Sequence, residues 1–281
     1  MALDLEAKNP MYINNGQYDY DHLDLSQLDI EVDVPNIADY PNEEYALLRK
    51  HGLGTSDASA IVGVNPYVTY DELIAEKSRN FLTPDEIEVG SKPAVRKGRD
   101  LEPMVIDKFS KIIGKRIIKP ADMYHHKEHT WLKFNYDGVI DKQNIGDGRY
   151  QYIPSEIKVV TLYGVKHYDQ TKAWYRETVG FTDIPQNYAV SNNSIETKAA
   201  LYGIPPYYYT QLQQEIYGLN APYGLLTVLF DKTWEVVSFY VHRDDNTINS
   251  VLINGYKAWQ KICTLTGEPN RQDLSGLLKK E

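Results

Sequence analysis

The fold expected for this chain depends on two short segments, Asn135-Tyr136-Asp137-Gly138 and Ser155-Glu156-Ile157-Lys158. Alternate residues of an extended chain point to the same face, so Glu156 and Lys158 are expected side by side, with Ile157 turned towards a core. A carboxylate beside an ammonium, joined by a second carboxylate from a neighbouring strand, can hold a divalent metal ion and a water together. The stretch therefore predicts a catalytic site built on paired strands.

The chain around these segments is expected to be extended. Tyr150 to Val160 predicts the central strand of a sheet, and Val139-Ile140 predicts a strand beside it. Asp-Gly is also a frequent turn dipeptide. A hairpin turn at Asp137 with ordinary surface charges is therefore the alternative explanation of this stretch.

The composition bounds the class of protein. With 281 residues, 42% of them hydrophobic and 25% charged, the chain is typical of a globular protein with one large domain or two small ones. No apolar run reaches the ~20 residues of a membrane span. The single cysteine, Cys263, excludes an internal disulfide and a thiolate zinc cluster. We therefore expect a cytoplasmic protein without a membrane partner.

The negative net charge is concentrated in one region. Residues 1–46 contain eleven Asp and Glu residues and one Lys, so this arm accounts for the net charge of −9 and the remaining chain is close to neutral. The arm shows no sustained hydrophobic period, which predicts an irregular or loosely packed extension. The alternative is an acidic segment that contacts a protein partner or lies near a basic groove. The overall acidity therefore says little about what the remaining chain binds.

Two helices are expected to flank the strands. A basic run at residues 92–99 precedes a helix predicted from residue 101, and Glu102 lies in its first turn. An acidic residue at that position usually serves only the helix dipole. A later helix, predicted from residue 205, leaves Gln211 and Glu215 near one another on one face.

A glycine-rich segment offers a possible phosphate site. Arg49 and Lys50 precede two glycines and Ser56. Two cations, a hydroxyl and the free N–H groups of a helix start together suit a phosphate. A serine that only caps the following helix is the alternative.

Further cations are expected to contact nucleic acid. Between residues 163 and 176 they alternate with aromatic side chains, as in surfaces that bind single strands through stacked bases and paired phosphates. The residues assigned to this group are Arg96, Lys97 and Arg99 in the basic run, and Lys166, Lys172 and Arg176 in the later segment.

The order of these segments resembles the core of the PD-(D/E)XK nuclease superfamily, and more narrowly the lambda-exonuclease and YqaJ-like viral recombinase family. The resemblance extends from about Tyr45 to the last predicted helix. It implies an α/β protein with a restriction-endonuclease-like αβββαβ core, in which helices flank a central mixed sheet. It also implies a nuclease domain at 47–281. The acidic arm at 1–46 has no counterpart in the family, and the long segment around 161–205 is an insertion relative to it. The motifs that carry it are Gly52-Leu53-Gly54-Thr55-Ser56-Asp57-Ala58, Gly98-Arg99-Asp100-Leu101-Glu102-Pro103, Trp131-Leu132 leading to Asp137-Gly138, Glu156-Ile157-Lys158, and Tyr209-Thr210-Gln211-Leu212-Gln213.

The resemblance implies a role for each matched residue. Lys158 would orient or help deprotonate the attacking water, and Gln211 would assist the site. Ser56, with Arg49 or Lys50, would hold the 5′-phosphate of a DNA end. The implied ligands of two Mg²⁺ or Mn²⁺ ions are Asp137, Glu156, the backbone carbonyl of Ile157, and Glu102.

The activity implied by the resemblance is 5′→3′ degradation of one strand of linear duplex DNA for phage-type recombination. Such an enzyme is expected to form a homotrimer that encircles DNA and to work with a single-strand annealing protein. A restriction-like or structure-specific endonuclease on the same fold and a non-catalytic DNA-binding module are the alternatives. The sequence departs from the family pattern at Tyr136, where proline is usual.

Overall fold

A computed structural model of the chain describes residues 18–40, 42–89, 92–144, 150–161, 164–187 and 193–267. Eight strands form the main sheet in the order β1-β3-β6-β7-β10-β11-β8-β9, and three form a smaller sheet in the order β2-β4-β5. The strands are β1 (Tyr20–Asp21), β2 (Ile30–Val34), β3 (Ile117–Pro120), β4 (Met123–His126), β5 (Lys133–Phe134), β6 (Gly138–Asn144), β7 (Tyr150–Val160), β8 (Tyr175–Arg176), β9 (Gly180–Phe181), β10 (Tyr223–Phe230) and β11 (Glu235–His242).

Helices pack against the main sheet, and none in the described parts of the chain is long and apolar enough to cross a membrane. They are α1 (Asn42–Leu48), α2 (Ala58–Ile61), α3 (Tyr70–Lys77), α4 (Pro84–Val89), α5 (Pro93–Ile113), α6 (Ile195–Tyr202), α7 (Pro206–Gly218) and α8 (Asp245–Thr266). The order α5, β3, β6, β7, α7, β10 is the predicted αβββαβ core. The predicted α/β class, with a central mixed sheet flanked by helices, is therefore confirmed.

The middle of the main sheet is made by β6, β7 and β10. β7 pairs antiparallel with β6 and parallel with β10, which makes the sheet mixed. Every residue of β10 is buried, as expected for a strand covered on both faces. Because α7 connects β7 to the parallel strand β10, it packs back onto both strands. The predicted central strand has the observed bounds of β7.

The acidic arm is more ordered than the sequence indicated. β1 pairs with β3 and β2 pairs with β4, so the arm adds a strand to each sheet. Leu23, Leu28 and Ile30 are buried in the main core. The expectation of an irregular or loosely packed arm is therefore wrong for β1, β2 and the buried residues between them, and the first 17 residues lie outside the described chain.

The helix that carries Glu102 also differs from the expectation. α5 begins at Pro93, where a proline is well placed because the first helical N–H needs no acceptor. It ends at Gly114, which has the left-handed backbone conformation common after helices. The basic run thus belongs to the helix, and Glu102 lies in its middle. An interaction with the helix dipole does not explain Glu102, because that effect is confined to the terminal turns.

Candidate active site

Asp137 lies at the point where β6 begins. Its Oδ2 accepts a hydrogen bond of 3.2 Å from the N–H of Ile157 on the neighbouring strand β7. Gly138 opens β6 rather than a turn, and a side chain there would come within 2.9 Å of Ile117 and 3.3 Å of the Ser155 carbonyl oxygen. The hairpin-turn explanation of Asp137-Gly138 is therefore wrong. The glycine lets the two strands and their side chains approach closely.

Glu156 and Lys158 lie on one face of β7, as their spacing predicts. The Lys158 ammonium donates a hydrogen bond to Oε1 of Glu156 and lies 3.5 Å from Oδ2 of Asp137. Ile157, between them, is buried in the core. From α7, Gln211 Nε2 donates to the same Oε1 of Glu156 at 2.5 Å. The two strands and α7 thus bring four of the predicted site residues together.

Glu102 reaches the site from α5 through a lysine that the sequence reasoning did not assign. Lys119 on β3 places its ammonium 3.0 Å from Oε1 of Glu102 and 3.8 Å from Oδ1 of Asp137. The hydroxyl of Tyr18, from the acidic arm, also donates to Oε1 of Glu102 at 3.1 Å. Lys119 therefore connects the helix carboxylate to the strand carboxylate.

A further carboxyl, Glu215, lies one helical turn beyond Gln211 on α7. Its Oε1 accepts a 3.1 Å hydrogen bond from Gln211 Nε2, and its side chain is buried. Burial raises the pKa of Glu215 well above its usual range, and the negative charge of Glu156 adds to the shift. The shift favours the protonated form of Glu215, which can donate a hydrogen bond to Glu156.

The other carboxyl groups respond differently to the crowding. Burial, assisted by the charge of Asp137, raises the pKa of Glu156 to about 7. Burial also raises the pKa of Glu102, again with a contribution from Asp137. For Asp137 burial acts in the same direction, but the ammonium groups of Lys158 and Lys119 outweigh it and the pKa is lowered. Asp137 is thus the most strongly ionised carboxylate of the site.

The donor set suits a hard divalent cation. Oε2 of Glu156 is buried and has no regular hydrogen-bond donor among the described residues. The neighbouring carboxyl of Glu215 can donate to Glu156 only when it is protonated. In the described parts of the chain no three His, Cys, Asp or Glu side chains form a ready metal-binding cluster. Lys119 and Lys158 lie between the carboxylates. The carboxylate oxygens of Asp137, Glu156 and Glu102 are the kind of ligand that such a cation prefers.

Two cavities meet at these residues. One, of about 600 Å³, is lined by Glu102, Asp137, Ile157 and Lys158, and we call it the catalytic cleft. The other, of about 190 Å³, extends from Asp137, Glu156 and Lys158 to Arg49 and Ser56, and we call it the end pocket.

The end pocket contains the predicted serine and one of the two predicted cations. Arg49 Nη2 donates to Ser56 Oγ at 3.0 Å. Ser56 does not cap α2, since no side chain caps that helix. Lys50 is elsewhere: its buried ammonium pairs with Glu86 at 3.0 Å. We therefore withdraw Lys50 from the phosphate site and retain Arg49 and Ser56.

Comparisons with known proteins identify the domain. The family model of the YqaJ-like viral recombinase domain matches residues 44–217. The chain belongs to this family. It is 25% identical over 148 residues to the uncharacterized protein YqaJ of Bacillus subtilis, a match that covers 53% of this chain and 39% of that relative. The chain thus matches less than half of the relative's length.

Two solved structures are similar in shape to this member of the YqaJ-like family. An alkaline exonuclease from Laribacter hongkongensis has a TM-score of 0.49 at 13% identity, covering 84% of this chain and 99% of that chain. A phage-related exonuclease from Haemophilus somnus has a TM-score of 0.42 at 13% identity, covering 77% of this chain and 96% of that chain.

The matched YqaJ-like segment includes all the side chains at the centre of the site, but the other predicted DNA contacts are dispersed. Arg99 lines the catalytic cleft, and Lys166 and Lys172 line a separate cavity. Arg96 and Lys97 lie beside Trp234, and Lys97 pairs with Asp231 at 2.6 Å. Arg176 lies 3.6 Å from Glu235 on the neighbouring strand β11, and the structure does not bring it to either active-site cavity.

Sequence reasoning missed Lys119, Tyr18 and the burial of Glu215. Lys119 follows Ile117-Ile118 in a buried strand after α5. A lysine is seldom buried without a partner, so its place in an apolar strand was a detectable signal. Tyr18 lies before the YqaJ-like match and carries no local signal. Its contact with Glu102 depends on the pairing of β1 with β3.

Proposed function

We propose that this protein is a metal-dependent DNA exonuclease that degrades one strand of linear duplex DNA during viral-type homologous recombination by single-strand annealing. The observation that carries the proposal is the convergence of Glu102, Asp137, Glu156 and Lys158 at one site within the segment that matches the recombinase family. Three carboxylates and a lysine drawn from one helix and two strands are suited to hydrolysis of a phosphodiester.

Asp137, Glu156 and the backbone carbonyl of Ile157 would hold the catalytic metal ion, with Asp137 as the most strongly ionised ligand. A bound Mg²⁺ or Mn²⁺ supplies an activated water and stabilises charge on the phosphoryl oxygens. The buried Oε2 of Glu156 supports this assignment because a buried oxygen without a regular donor is costly unless it meets a cation. Two ions per site remain part of the proposal, with Glu102 assigned to the second.

Lys158 and Gln211 would position the reacting groups. The Lys158 ammonium lies between Asp137 and Glu156 and can donate hydrogen bonds to a water or to a phosphoryl oxygen. Gln211 holds Glu156 in place through its amide. Lys119 keeps Glu102 directed towards Asp137. Each of these groups contacts at least one carboxylate of the site.

The end pocket supports 5′→3′ polarity. Arg49 offers a guanidinium and Ser56 a hydroxyl, a pair that can bind a terminal phosphate directly. The pocket is small, at about 190 Å³, and shares Asp137, Glu156 and Lys158 with the site of hydrolysis. A 5′-phosphate held there would place the first phosphodiester of that strand beside Lys158.

A time course on two DNA substrates tests this function. With Mg²⁺, a linear duplex with 5′-phosphates should be shortened from its ends, whereas a covalently closed circle should persist. Efficient cutting of the circle would favour the endonuclease on the same fold. Binding of DNA without any cleavage in Mg²⁺ or Mn²⁺ would favour the non-catalytic module.

A further inference from the structure

A third cavity adjoins the catalytic cleft. It measures about 780 Å³, and we call it the tyrosine cavity. Tyr67 and Tyr207 form part of its wall and also part of the wall of the catalytic cleft. The two cavities are therefore neighbours, with two aromatic rings common to their walls.

A chain of tyrosine rings leads from the catalytic lysine to the protein surface. The Lys158 ammonium lies 5.3 Å from the ring centre of Tyr208. The ring centres of Tyr208 and Tyr207 are 4.4 Å apart, and those of Tyr207 and Tyr67 are 5.8 Å apart. Tyr67 is the outermost ring, with 75% of its surface exposed. An exposed ring in this position is available to stack on a flat partner.

The backbone that presents Tyr67 is held in place. Oδ1 of Asn65 accepts hydrogen bonds from the N–H groups of Tyr67, at 2.8 Å, and Val68, at 3.0 Å. The amide of Asn65 is itself anchored by a 2.9 Å hydrogen bond to Ser59 Oγ. The exposed ring therefore projects from a fixed turn, which reduces the entropy lost when a ligand stacks on it.

The walls of the tyrosine cavity combine apolar surface with cations. Pro66, Ile204, Pro205 and Pro206 supply apolar surface. Lys166, His167 and Lys172 supply basic groups, and Lys166 has no ion-pair partner among the described residues. The acid present, Asp169, lies 3.6 Å from Lys172 and accepts hydrogen bonds from Thr171. Flat rings beside cations match unpaired bases joined by phosphates.

We propose that the tyrosine cavity binds unpaired nucleotides of single-stranded DNA next to the position of hydrolysis. The inference rests on the proposed function, since it takes DNA as the substrate of the adjoining cleft. Tyr67 and Tyr207 stack on bases, while Lys166 and Lys172 contact the phosphates. A base within a duplex already stacks on its neighbours, so the cavity favours single-stranded over paired DNA.

Binding measured without cleavage tests the proposal. Fluorescence anisotropy of a labelled oligothymidylate in EDTA should show that Tyr67→Ala weakens binding about five- to hundredfold, as expected for loss of one base–aromatic stack. Tyr67→Phe should keep most of the affinity. Tyr256→Ala is the matched control, because this half-exposed tyrosine on α8 lines none of the three cavities. Lys166→Ala should reduce the slope of log affinity against log salt by about 0.7.

Three outcomes would overturn the assignment. Wild-type affinity in Tyr67→Ala would exclude the stacking role. If Tyr67→Ala weakened binding to a blunt duplex as much as binding to the oligothymidylate, the preference for unpaired strands would be excluded. Competition by free thymidine monophosphate as strong as that by the oligonucleotide would identify a mononucleotide site instead. Because these assays contain no metal, a wild-type protein that binds single strands but fails to cut DNA in Mg²⁺ would refute the proposed function alone.

Discussion

Helix α7 contributes to two polar clusters whose charges are balanced in different ways. At one of them, Asp244 pairs with Lys198 at 2.7 Å and also accepts hydrogen bonds from Tyr209 and Thr247. At the other, Gln211 and Glu215 lie against the crowded carboxylates of the active site. The Asp244 pair is fully buried, whereas Asp137 and Lys158 are about one-fifth exposed at the cavities, and the two clusters also differ in how their charges are balanced.

In the Asp244 cluster, a lysine and two hydroxyl groups stabilise the single carboxylate. Burial alone would raise the pKa of Asp244, but the hydrogen bonds from Lys198, Thr247 and Tyr209 outweigh it and the pKa is lowered. In the active site two lysines face four carboxyl groups, and the pKa of three of them is raised. The first arrangement stabilises the fold, whereas the second crowds carboxyl groups whose ionisation is unfavourable until a cation joins them.

The largest expected effect is the loss of cleavage on changing the active-site carboxylate. Asp137→Asn should reduce Mg²⁺-dependent DNA cleavage by at least about a thousandfold, because an amide cannot replace a charged metal ligand. The free energy of unfolding should change by no more than about 1 kcal/mol, since the substitution also relieves repulsion with Glu156 and Glu102. Rate measurements and urea unfolding on the same preparations check both parts. Near-normal cleavage by Asp137→Asn would refute the site.

The Asp244 cluster should show the reverse pattern. Lys198→Met leaves Asp244 buried without its counter-charge and should lower the free energy of unfolding by about 3–5 kcal/mol. The fraction that remains folded should cleave DNA at the wild-type rate. Lys261→Met is the control, because its ion pair with Asp71 is exposed and should contribute less than about 1 kcal/mol. Equal stability of the two variants would show that the buried pair has no special role.

The pH dependence of stability should separate the two clusters. The folded protein holds a proton on Glu156, whose pKa is about 7, that the unfolded chain releases near pH 4.5. Without metal, this group should therefore reduce stability as pH rises from about 4.5 to 7, by on the order of 1–3 kcal/mol. Asp244 has the opposite sign, because its lowered pKa stabilises the fold above pH 3.8 and that contribution is lost on acidification. Urea unfolding at several pH values should show a smaller decline in Glu156→Gln; an unchanged decline would contradict the assignment.

The smallest effect is expected at the end pocket. Arg49→Ala should reduce the preference for 5′-phosphate over 5′-hydroxyl ends by about tenfold, the value of one charge-assisted contact. Arg96→Ala serves as the comparison, because Arg96 lies on a surface of α5 away from the end pocket. This variant should lower the overall affinity for DNA without changing the preference for 5′-phosphate ends. Cleavage rates on the two kinds of end provide the measurement. If Arg49→Ala kept the preference for 5′-phosphate ends, the end pocket would not be the phosphate site.

The sequence was most informative where local pattern and structure coincide. The alternation in Ser155-Glu156-Ile157-Lys158 placed Glu156 and Lys158 correctly on β7, because side-chain direction in a strand follows directly from its period of two. The start of α5 was missed because its first turns carry charge rather than an apolar stripe, although Pro93 at the first position was a usable signal.

Contacts between distant segments could not be predicted in the same way. β1 has two residues, too few for any hydrophobic period, and it exists through pairing with β3. Lys119 acquires its role from Glu102 and Asp137, which other elements bring to it. Lys50 and Arg49 are neighbours in sequence, yet one pairs with Glu86 and the other with Ser56, because the short helical turn directs them apart.

Direct binding of divalent cations is the most direct test of the contrast between the clusters. Calorimetric titration of metal-free protein with Mn²⁺ and Mg²⁺ should give saturable binding in the wild type and in Lys261→Met. Binding should be lost in Asp137→Asn, although that variant remains folded. Equal binding by the wild type and Asp137→Asn, or no binding by the wild type, would contradict the assignment of Glu102, Asp137 and Glu156 as ligands of the catalytic metal ions.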